Sequence, residues 1–423
     1  MYSVLGIIVY HLRYIRVQFW SEKRILNYQS KRLKRLAKRS FGTKDLQINF
    51  SLEGKEFLNE FKKKVPILDK SRVKENPDSF LVRKSSKFDL EFHTSGSTGK
   101  PMKAYISWRH WIVEQAVIYR HWKWHGYKFR DTCAMLRSYS PKEGEPLIKY
   151  SWSLNTYYYS PFHLDDEHME EYYRHMLSKR VKYLRGYPSS IKIFAEFCQN
   201  KGYTIPGLKF ILTASEVLSE EDRSFIEKVF GVQIGNHYGL AEQIVMFGNC
   251  SESSILHNYN EYGYCELIPT DEENIFKIIG TNLHNDLMPL LRYDTGDLAY
   301  ARPGVKCPCG REGVQVKAII GRHDQLLVDS KGLKIPTVNF YTLMEYFTDL
   351  SGWQLLQNDD SLIVLCVSKG LSEIRKKEIE TKILQGLNSR LQNSSLTYEL
   401  RFVKSLVKIK EGKTPILVKN VQI

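Results

Sequence analysis

Three neighbouring stretches constrain the fold most. "FILTASE" (Phe210–Glu216) is a short apolar run that ends in small residues, "EEDRSFIEKVF" (Glu220–Phe230) has helical spacing, and "VQIGNHYGLAE" (Val232–Glu242) opens a second apolar run. Short apolar runs alternating with a helical pattern are α/β patterning. Similar alternation recurs from about residue 90 to 320, which predicts an α/β fold. Residues before 90 read as mainly helical. After "IIGRHDQLLV" (Ile319–Val328) the character changes: "SLIVLCVS" reads as a strand, "SEIRKKEIETKILQGLNSRL" as a helix and "YELRFVKSL" as a strand. The expected organisation is a large α/β domain of several subdomains over residues 1–322 and a small α+β domain over 323–423. A chain of 423 residues is long enough for both. It shows no internal repeat and no low-complexity tract.

Lys and Arg outnumber Asp and Glu by 15, an excess that favours anionic partners. The first twenty residues, "MYSVLGIIVYHLRYIRVQFW", are apolar and then basic, which reads as an amphipathic helix too short to span a membrane. In "QSKRLKRLAKRS", Leu33 and Leu36 stand at helical spacing in a basic field. That pattern fits either a solvated helix face or peripheral contact with an anionic membrane surface. Nucleic acid is not expected, since no zinc finger or aromatic strand motif accompanies the charge. Seven cysteines, an odd number thinly spread, argue for free thiols in a reducing, cytoplasmic setting.

The run "TSGSTGK" (Thr94, Ser95, Gly96, Ser97, Thr98, Gly99, Lys100) holds only hydroxyl-bearing residues, glycines and a lysine. Backbone N–H groups turned by glycine, hydroxyl donors and a lysine charge make a cradle for polyphosphate. It is not a Walker A loop: Thr94 stands where the first glycine belongs, and Pro101 follows the lysine. Taken alone, the run also fits a flexible linker.

Four further stretches follow it in order: "LTASE" (Leu212–Glu216), "NHYGLAEQ" (Asn236–Gln243), "LRYDTGDLA" (Leu291–Ala299) and "IIGRHDQLLV". Together they resemble the adenylate-forming superfamily of acyl-CoA ligases and nonribosomal adenylation domains, from about residue 60 to the end. "KVPILDK" (Lys64–Lys70), "RGYPSSI" (Arg185–Ile191) and "CPCGR" (Cys307–Arg311) are similar to the branch that holds phenylacetate-CoA ligases and CapK-type capsular polysaccharide proteins.

The resemblance implies roles for individual residues. Thr94–Lys100 would cover the ATP phosphates; Ala214, Ser215 and Glu216 would line the nucleotide pocket. His237, Tyr238 and Gly239 would border adenine, with Tyr238 stacked on it, and Glu242 would bind Mg²⁺ as a solvent-facing cleft acid. Asp297 would hold the ribose hydroxyls with help from Arg322. Asp324 would be the hinge of a mobile C-terminal domain, and Lys413 in "KEGKTPI" would contact the carboxylate and α-phosphate. The sequence departs from the family pattern at Asp294, where arginine is common, and at Gln325, where the hinge often has a second Asp. The implied enzyme is an AMP-forming ligase that uses ATP, Mg²⁺ and a small carboxylic acid, with CoA or an amine or hydroxyl as acceptor. The branch suggests surface-polysaccharide synthesis; an aryl-CoA ligase and a non-catalytic nucleotide-binding assembly protein are the alternatives. The acyl pocket is expected between 135 and 240, near "KYSWSLNTYYYSPFH" (Lys149–His163), where the aromatics suit either a core or a ring-lined pocket.

Cys250, His257, Cys307 and Cys309 form a second candidate group. Three thiolates and an imidazole suit a tetrahedral structural zinc site, expected to be remote from the chemistry. Free thiols are the alternative.

Overall fold

The computed structural model describes residues 10, 16–40, 47–93, 102–142, 144–302, 304–322, 326–344, 347, 349–368, 370–407 and 416–420. The chain forms two compact units that interleave along the sequence. The first draws on residues up to 94, on 101–128 and on 235–320; the second draws on 129–234 and 321–423.

The first unit opens with α1 (Glu22–Ala37), α2 (Gly54–Lys64) and α3 (Lys70–Glu75). Leu33 and Leu36 stand on the helix that their spacing predicts, but they point inward rather than to solvent or a membrane, and with Phe57, Leu58, Phe61, Leu283 and Leu291 they form a core cluster. Strands β1 (Leu90–His93) and β2 (Lys103–Ile106) pair antiparallel, with His93 opposite Lys103. Ser107 caps α4 (Trp108–Trp124) by accepting the N–H of His110.

In the second unit, β3 (Cys133–Leu136), β4 (Ile148–Ser151), β5 (Thr156–Tyr159), β6 (Tyr183–Gly186) and β7 (Phe210–Ala214) form sheet order β7-β6-β3-β5-β4. All neighbours run parallel except β4 on β5. Helices α5 (Asp166–Ser178) and α6 (Pro188–Lys201) supply the crossovers, and α7 (Glu220–Phe230) follows β7. Asp165 and Ser219 cap α5 and α7, and Gly202 and Gly231 end α6 and α7 in the left-handed region, at φ +66° and +67°. Ala134, Leu136, Leu184 and Ile211 face these helices and form the core. Gly186 is required where β6 meets α6, because a Cβ there would lie 2.8 Å from Ile191 and 3.0 Å from the Leu136 carbonyl.

The chain then returns to the first unit. Strands β8 (Ile234–Tyr238), β9 (Phe247–Cys250) and β10 (Ser253–Asn258) pair antiparallel in sequence. Strands β11 (Gly263–Pro269), β12 (Ile275–Asn282) and β13 (Tyr293–Tyr300) form an antiparallel ladder. Short strand β14 (Gln315–Val316) adds to β10, and β15 (Ala318–Arg322) follows it.

The last segment carries β16 (Leu326–Val328), β17 (Lys334–Pro336), α8 (Val338–Met344), β18 (Leu350–Asn358), β19 (Ser361–Ser368), α9 (Glu373–Leu391), β20 (Thr397–Val403) and β21 (Leu417–Lys419). The sheet order β20-β19-β18-β21, with α9 packed on it, is the α+β pattern expected of the tail.

One buried ion pair ties the helices of the first unit to its β-ladder. Arg292, at φ +48°, donates from Nε and Nη2 to the two oxygens of Glu266, at 2.9 and 3.0 Å. Its Nη1 reaches the carbonyls of Lys62 and Val65 at the end of α2. Both side chains are buried. Arg292→Met leaves the buried carboxyl group of Glu266 without its partner, so it is expected to cost about 3–5 kcal/mol. The shift of the urea midpoint at unchanged slope measures this.

Candidate nucleotide and metal sites

In the first unit, three segments far apart in sequence meet around Glu242. The "KVPILDK" stretch is strapped to β13: the Leu68 N–H donates to the Arg292 carbonyl, and the Asp294 N–H donates to the Leu68 carbonyl, both at 2.9 Å. Asp69 then caps α3 by accepting from the Ser71 N–H. This places Lys70 Nζ 2.7 Å from Glu242 Oε1, where the Tyr293 hydroxyl also donates, at 2.9 Å. Glu242 is only 3% exposed. The expectation of a solvent-facing acid is therefore corrected: Glu242 is a buried carboxylate with a lysine on it. Burial pushes its pKa up, but the charge and hydrogen bond of Lys70, aided by Tyr293, outweigh that and hold it below the usual range. Lys70 was not singled out from sequence, because a lysine after an apolar run reads as an ordinary surface residue.

Tyr238 ends β8 and donates to Asp297 Oδ2 at 2.6 Å. Burial, and then the charge and hydrogen bond of Asp297, push this phenol far above its ordinary range. Asp297 is held by the turn before it: Asp294 Oδ1 accepts the N–H of Gly296, which sits at φ +76°, and Thr295 Oγ1 accepts the N–H of Asp297. The residues expected at adenine and at ribose are thus direct partners. His237, beside Tyr238, has its ring 5.9 Å from that of His121.

In the second unit, "LTASE" ends β7. Ala214 is buried, Ser215 takes φ +74°, and Glu216 is buried, accepting the Ser189 N–H at 3.0 Å. Arg390, from α9, lies 3.8 Å from the other Glu216 oxygen and donates to Ser189 Oγ and the Asn339 carbonyl. Arg390 was also missed, since nothing in the sequence links it to residue 216.

The aromatic stretch 149–163 divides. Tyr159 is fully buried in the core, whereas Tyr150 and Trp152 are exposed at the β4 edge. The Thr94–Lys100 loop, Asp324 and Lys413 lie outside the described residues. So does the side chain of Arg322, whose backbone ends β15.

Cys250, His257, Cys307 and Cys309 come together. Their ligand atoms all lie within 4.8 Å of one another. Cys250 Sγ is 3.5 Å from Cys307 Sγ, and Cys309 Sγ is 3.6 Å from His257 Nε2. These spacings match the edges of a tetrahedron with zinc–ligand bonds of about 2.0–2.3 Å. Burial holds His257 down to about 4, so it presents a neutral imidazole. Burial pushes Cys250 up to about 12, whereas hydrogen bonds from Arg311 outweigh burial at Cys309 and hold it below the ordinary thiol range. The donor set fits zinc. The cluster is not remote from β8, which carries His237 and Tyr238, however. Cys250 ends β9, which pairs with β8 through His237↔Gly248 and Tyr238↔Phe247, and Asn249 Oδ1 accepts the Asn236 N–H at 2.6 Å.

No family model matches the chain. Among solved structures, 2-hydroxyisobutyryl-CoA ligase in the postadenylation state with 2-HIB-AMP aligns with a TM-score of 0.57 at 14% identity, over 94% of this chain and 89% of that one. The same ligase with 2-HIB-AMP and CoA in the thioesterification state gives a TM-score of 0.56 at 15% identity, over the same shares. The fold is that of the adenylate-forming CoA ligases. By sequence, the chain is similar to protein CapK of Staphylococcus aureus, at 24% identity over 390 residues, 88% of this chain and 83% of that protein. It is also similar to a phenylacetate-coenzyme A ligase of Thermus thermophilus, at 30% identity over 152 residues, 33% of this chain and 34% of that protein.

The Lys70–Glu242 pair makes a signed prediction. With its pKa lowered, Glu242 contributes stability that is present above the ordinary carboxylate range and lost as the pH falls through the folded value. In Lys70→Met the charge and hydrogen bond of the lysine are gone, burial outweighs the remaining hydrogen bond from Tyr293, and the folded pKa is expected to rise above the unfolded one. That contribution is then present at low pH and lost as the pH rises. The deficit of Lys70→Met is therefore expected to grow from pH 4.5 to 7, and Lys70→Met/Glu242→Gln to be more stable than Lys70→Met alone at pH 7. Urea midpoints across that range are the measurement.

Proposed function

We propose that the protein is an AMP-forming ligase. It activates a carboxylic acid as acyl-adenylate, releases pyrophosphate, and passes the acyl group to CoA or to an amine or hydroxyl acceptor. The observation that carries this reading is the pairing of Tyr238 with Asp297 beside the ionised, buried Glu242, within the fold of CoA ligases. In the first half-reaction a carboxylate oxygen attacks the α-phosphorus of ATP, and the bond to the β-phosphate breaks. Two anions must approach, so the work is mostly positioning and charge compensation. Asp297, oriented by Tyr238, accepts from the ribose hydroxyls. Thr94–Lys100 holds the β- and γ-phosphates. Glu242, kept ionised by Lys70, would be the residue that holds Mg²⁺, and the metal would supply neutralising charge to the phosphates.

Residues 323–423 act as a mobile domain hinged at Asp324, with Lys413 at the carboxylate and α-phosphate in the first half-reaction only. Similarity to CapK supports a place in capsular or other surface-polysaccharide synthesis, where an acyl group joins a sugar. The phenylacetate-CoA ligase likeness supports aryl-CoA formation as the second reading. We place the enzyme in the cytoplasm, with the basic face of α1 able to meet an anionic membrane. No helix among the described residues is long and apolar enough to cross one.

ATP–pyrophosphate exchange across a panel of carboxylic acids tests the reading, and absence of exchange with every acid overturns it. Lys413→Ala is expected to slow acyl-adenylate formation by roughly 10²-fold or more, with transfer from supplied acyl-adenylate much less affected. Equal loss in both half-reactions makes the lysine a structural turn residue.

Cys250, His257, Cys307 and Cys309 are proposed to hold one structural Zn²⁺. Elemental analysis of protein purified without chelator is expected to give one zinc per chain, and Cys307→Ser/Cys309→Ser to lose it together with thermal stability. A metal-free chain of unchanged stability refutes the site.

A further inference from the structure

The amino ends of the second unit's parallel strands form an edge that the activation chemistry does not use. Strands β5, β3, β6 and β7 begin side by side there. The turns before them are joined in a row: the Cys133 N–H donates to the Asn155 carbonyl, the Lys182 N–H to the Thr132 carbonyl and the Lys209 N–H to the Lys182 carbonyl, at 3.1, 2.9 and 2.8 Å. Two of these turns carry apolar tips. Phe129 is 72% exposed, and Trp152 and Leu154, in the turn between β4 and β5, are 71% and 54% exposed. The two turns are fastened to each other. The Arg130 guanidinium lies over the Trp152 ring, 4.8 Å from its centroid, and Asn155 Nδ2 donates to the Arg130 carbonyl at 2.7 Å. Single exposed apolar residues are ordinary, but three raised on two joined turns mark a contact surface.

The flank of this edge is cationic. Arg130 stands between the tips, and Lys182 and Lys209 follow along the row. Both lysines reach buried Asp131, at 3.1 and 3.6 Å, yet keep 44% and 39% of their side chains exposed. A rim of lysine and arginine favours an anionic partner. Apolar side chains on turns, rather than on a flat strip, suit a soft surface that they can enter. Tryptophan with basic neighbours is the combination that settles at a membrane interface. Contact here leaves the other end of the sheet clear: Lys209 and Ser215 stand just outside opposite ends of β7, roughly 20 Å apart.

We propose that this edge seats the protein on an anionic lipid surface. Phe129, Trp152 and Leu154 enter the headgroup region, and Arg130, Lys182 and Lys209 meet lipid phosphates. The proposal needs neither the adenylation reading nor the basic face of α1. The two kinds of contact divide the work. The cations draw the chain to the surface over a distance set by salt, and the apolar tips hold it there once salt screens the charges.

The test is co-sedimentation of the full chain with phosphatidylcholine vesicles, with and without phosphatidylglycerol. The wild type is expected to bind the anionic vesicles and to lose most of that binding without phosphatidylglycerol. Trp152→Ser/Leu154→Ser should weaken binding about 10–100-fold, and Lys182→Gln/Lys209→Gln about fivefold per lysine at low salt. The tip side chains are exposed, so the urea midpoint of Trp152→Ser/Leu154→Ser should match the wild type. Lipids brominated on their acyl chains should quench part of the wild-type fluorescence, and that part should be missing in Trp152→Phe, which still binds. A wild type that ignores anionic vesicles overturns the proposal. If that wild type is also a dimer that Trp152→Ser/Leu154→Ser breaks, the edge belongs to a second copy. Binding that the tip variant leaves intact also overturns it, and its loss in Lys31→Gln/Arg35→Gln then moves the contact to α1.

Discussion

The buried carboxylate of Glu242 is the constraint on which the first unit's site depends. An ionised acid at 3% exposure is tolerable only with a charge beside it. That charge comes from Lys70, 172 residues earlier in the chain, and it arrives only because Leu68 is hydrogen-bonded into β13 on both sides. Tyr293 takes part twice: it bridges Leu68 through the backbone and donates to Glu242 through its hydroxyl. Four residues further along the same strand stands Asp297. The register of one strand thus sets the positions of Lys70, Glu242 and Asp297 together, and a slip by one residue would turn all of β13's side chains to the other face.

The metal-ligand cluster shares this economy of placement. Cys250 and Asn249 are neighbours on β9. Asn249 grips the backbone of β8 at Asn236 while its own carbonyl accepts from His121 and His125. The end of β8, with His237 and Tyr238, is therefore braced by the strand that enters the cluster.

What the sequence disclosed follows from range. The helix and strand patterns of 188–230 and 361–403 depend on local spacing and caps, such as Ser219, Ser372 and Gly231, and all are visible along the chain. The motif residues Tyr238, Glu242 and Asp297 could be named because their surroundings are short and distinctive. The environment of Glu242 was misjudged because its partner is distant. Arg390 was missed for the same reason: an arginine in "LNSRL" carries no sign of what it will face. Cys250, His257, Cys307 and Cys309 were legible despite a gap of 57 residues, since cysteine and histidine are scarce and their chemistry narrow.

The interleaving of the two units bears on how the chain is made. Arg32, in α1, donates to the carbonyl of Leu283, a contact 251 residues apart, and Leu33 and Leu36 share their core with Leu291. At ribosomal rates of about 5–20 residues per second, the first helices wait roughly 10–50 s for the strands that cover them. The segment 129–206, with its local βα crossovers, is complete well before that. During synthesis, then, the nascent chain carries an uncovered apolar and strongly basic amino-terminal arm ahead of a folding α/β core. Until those later residues emerge, the arm stays open to chaperones and to misassociation.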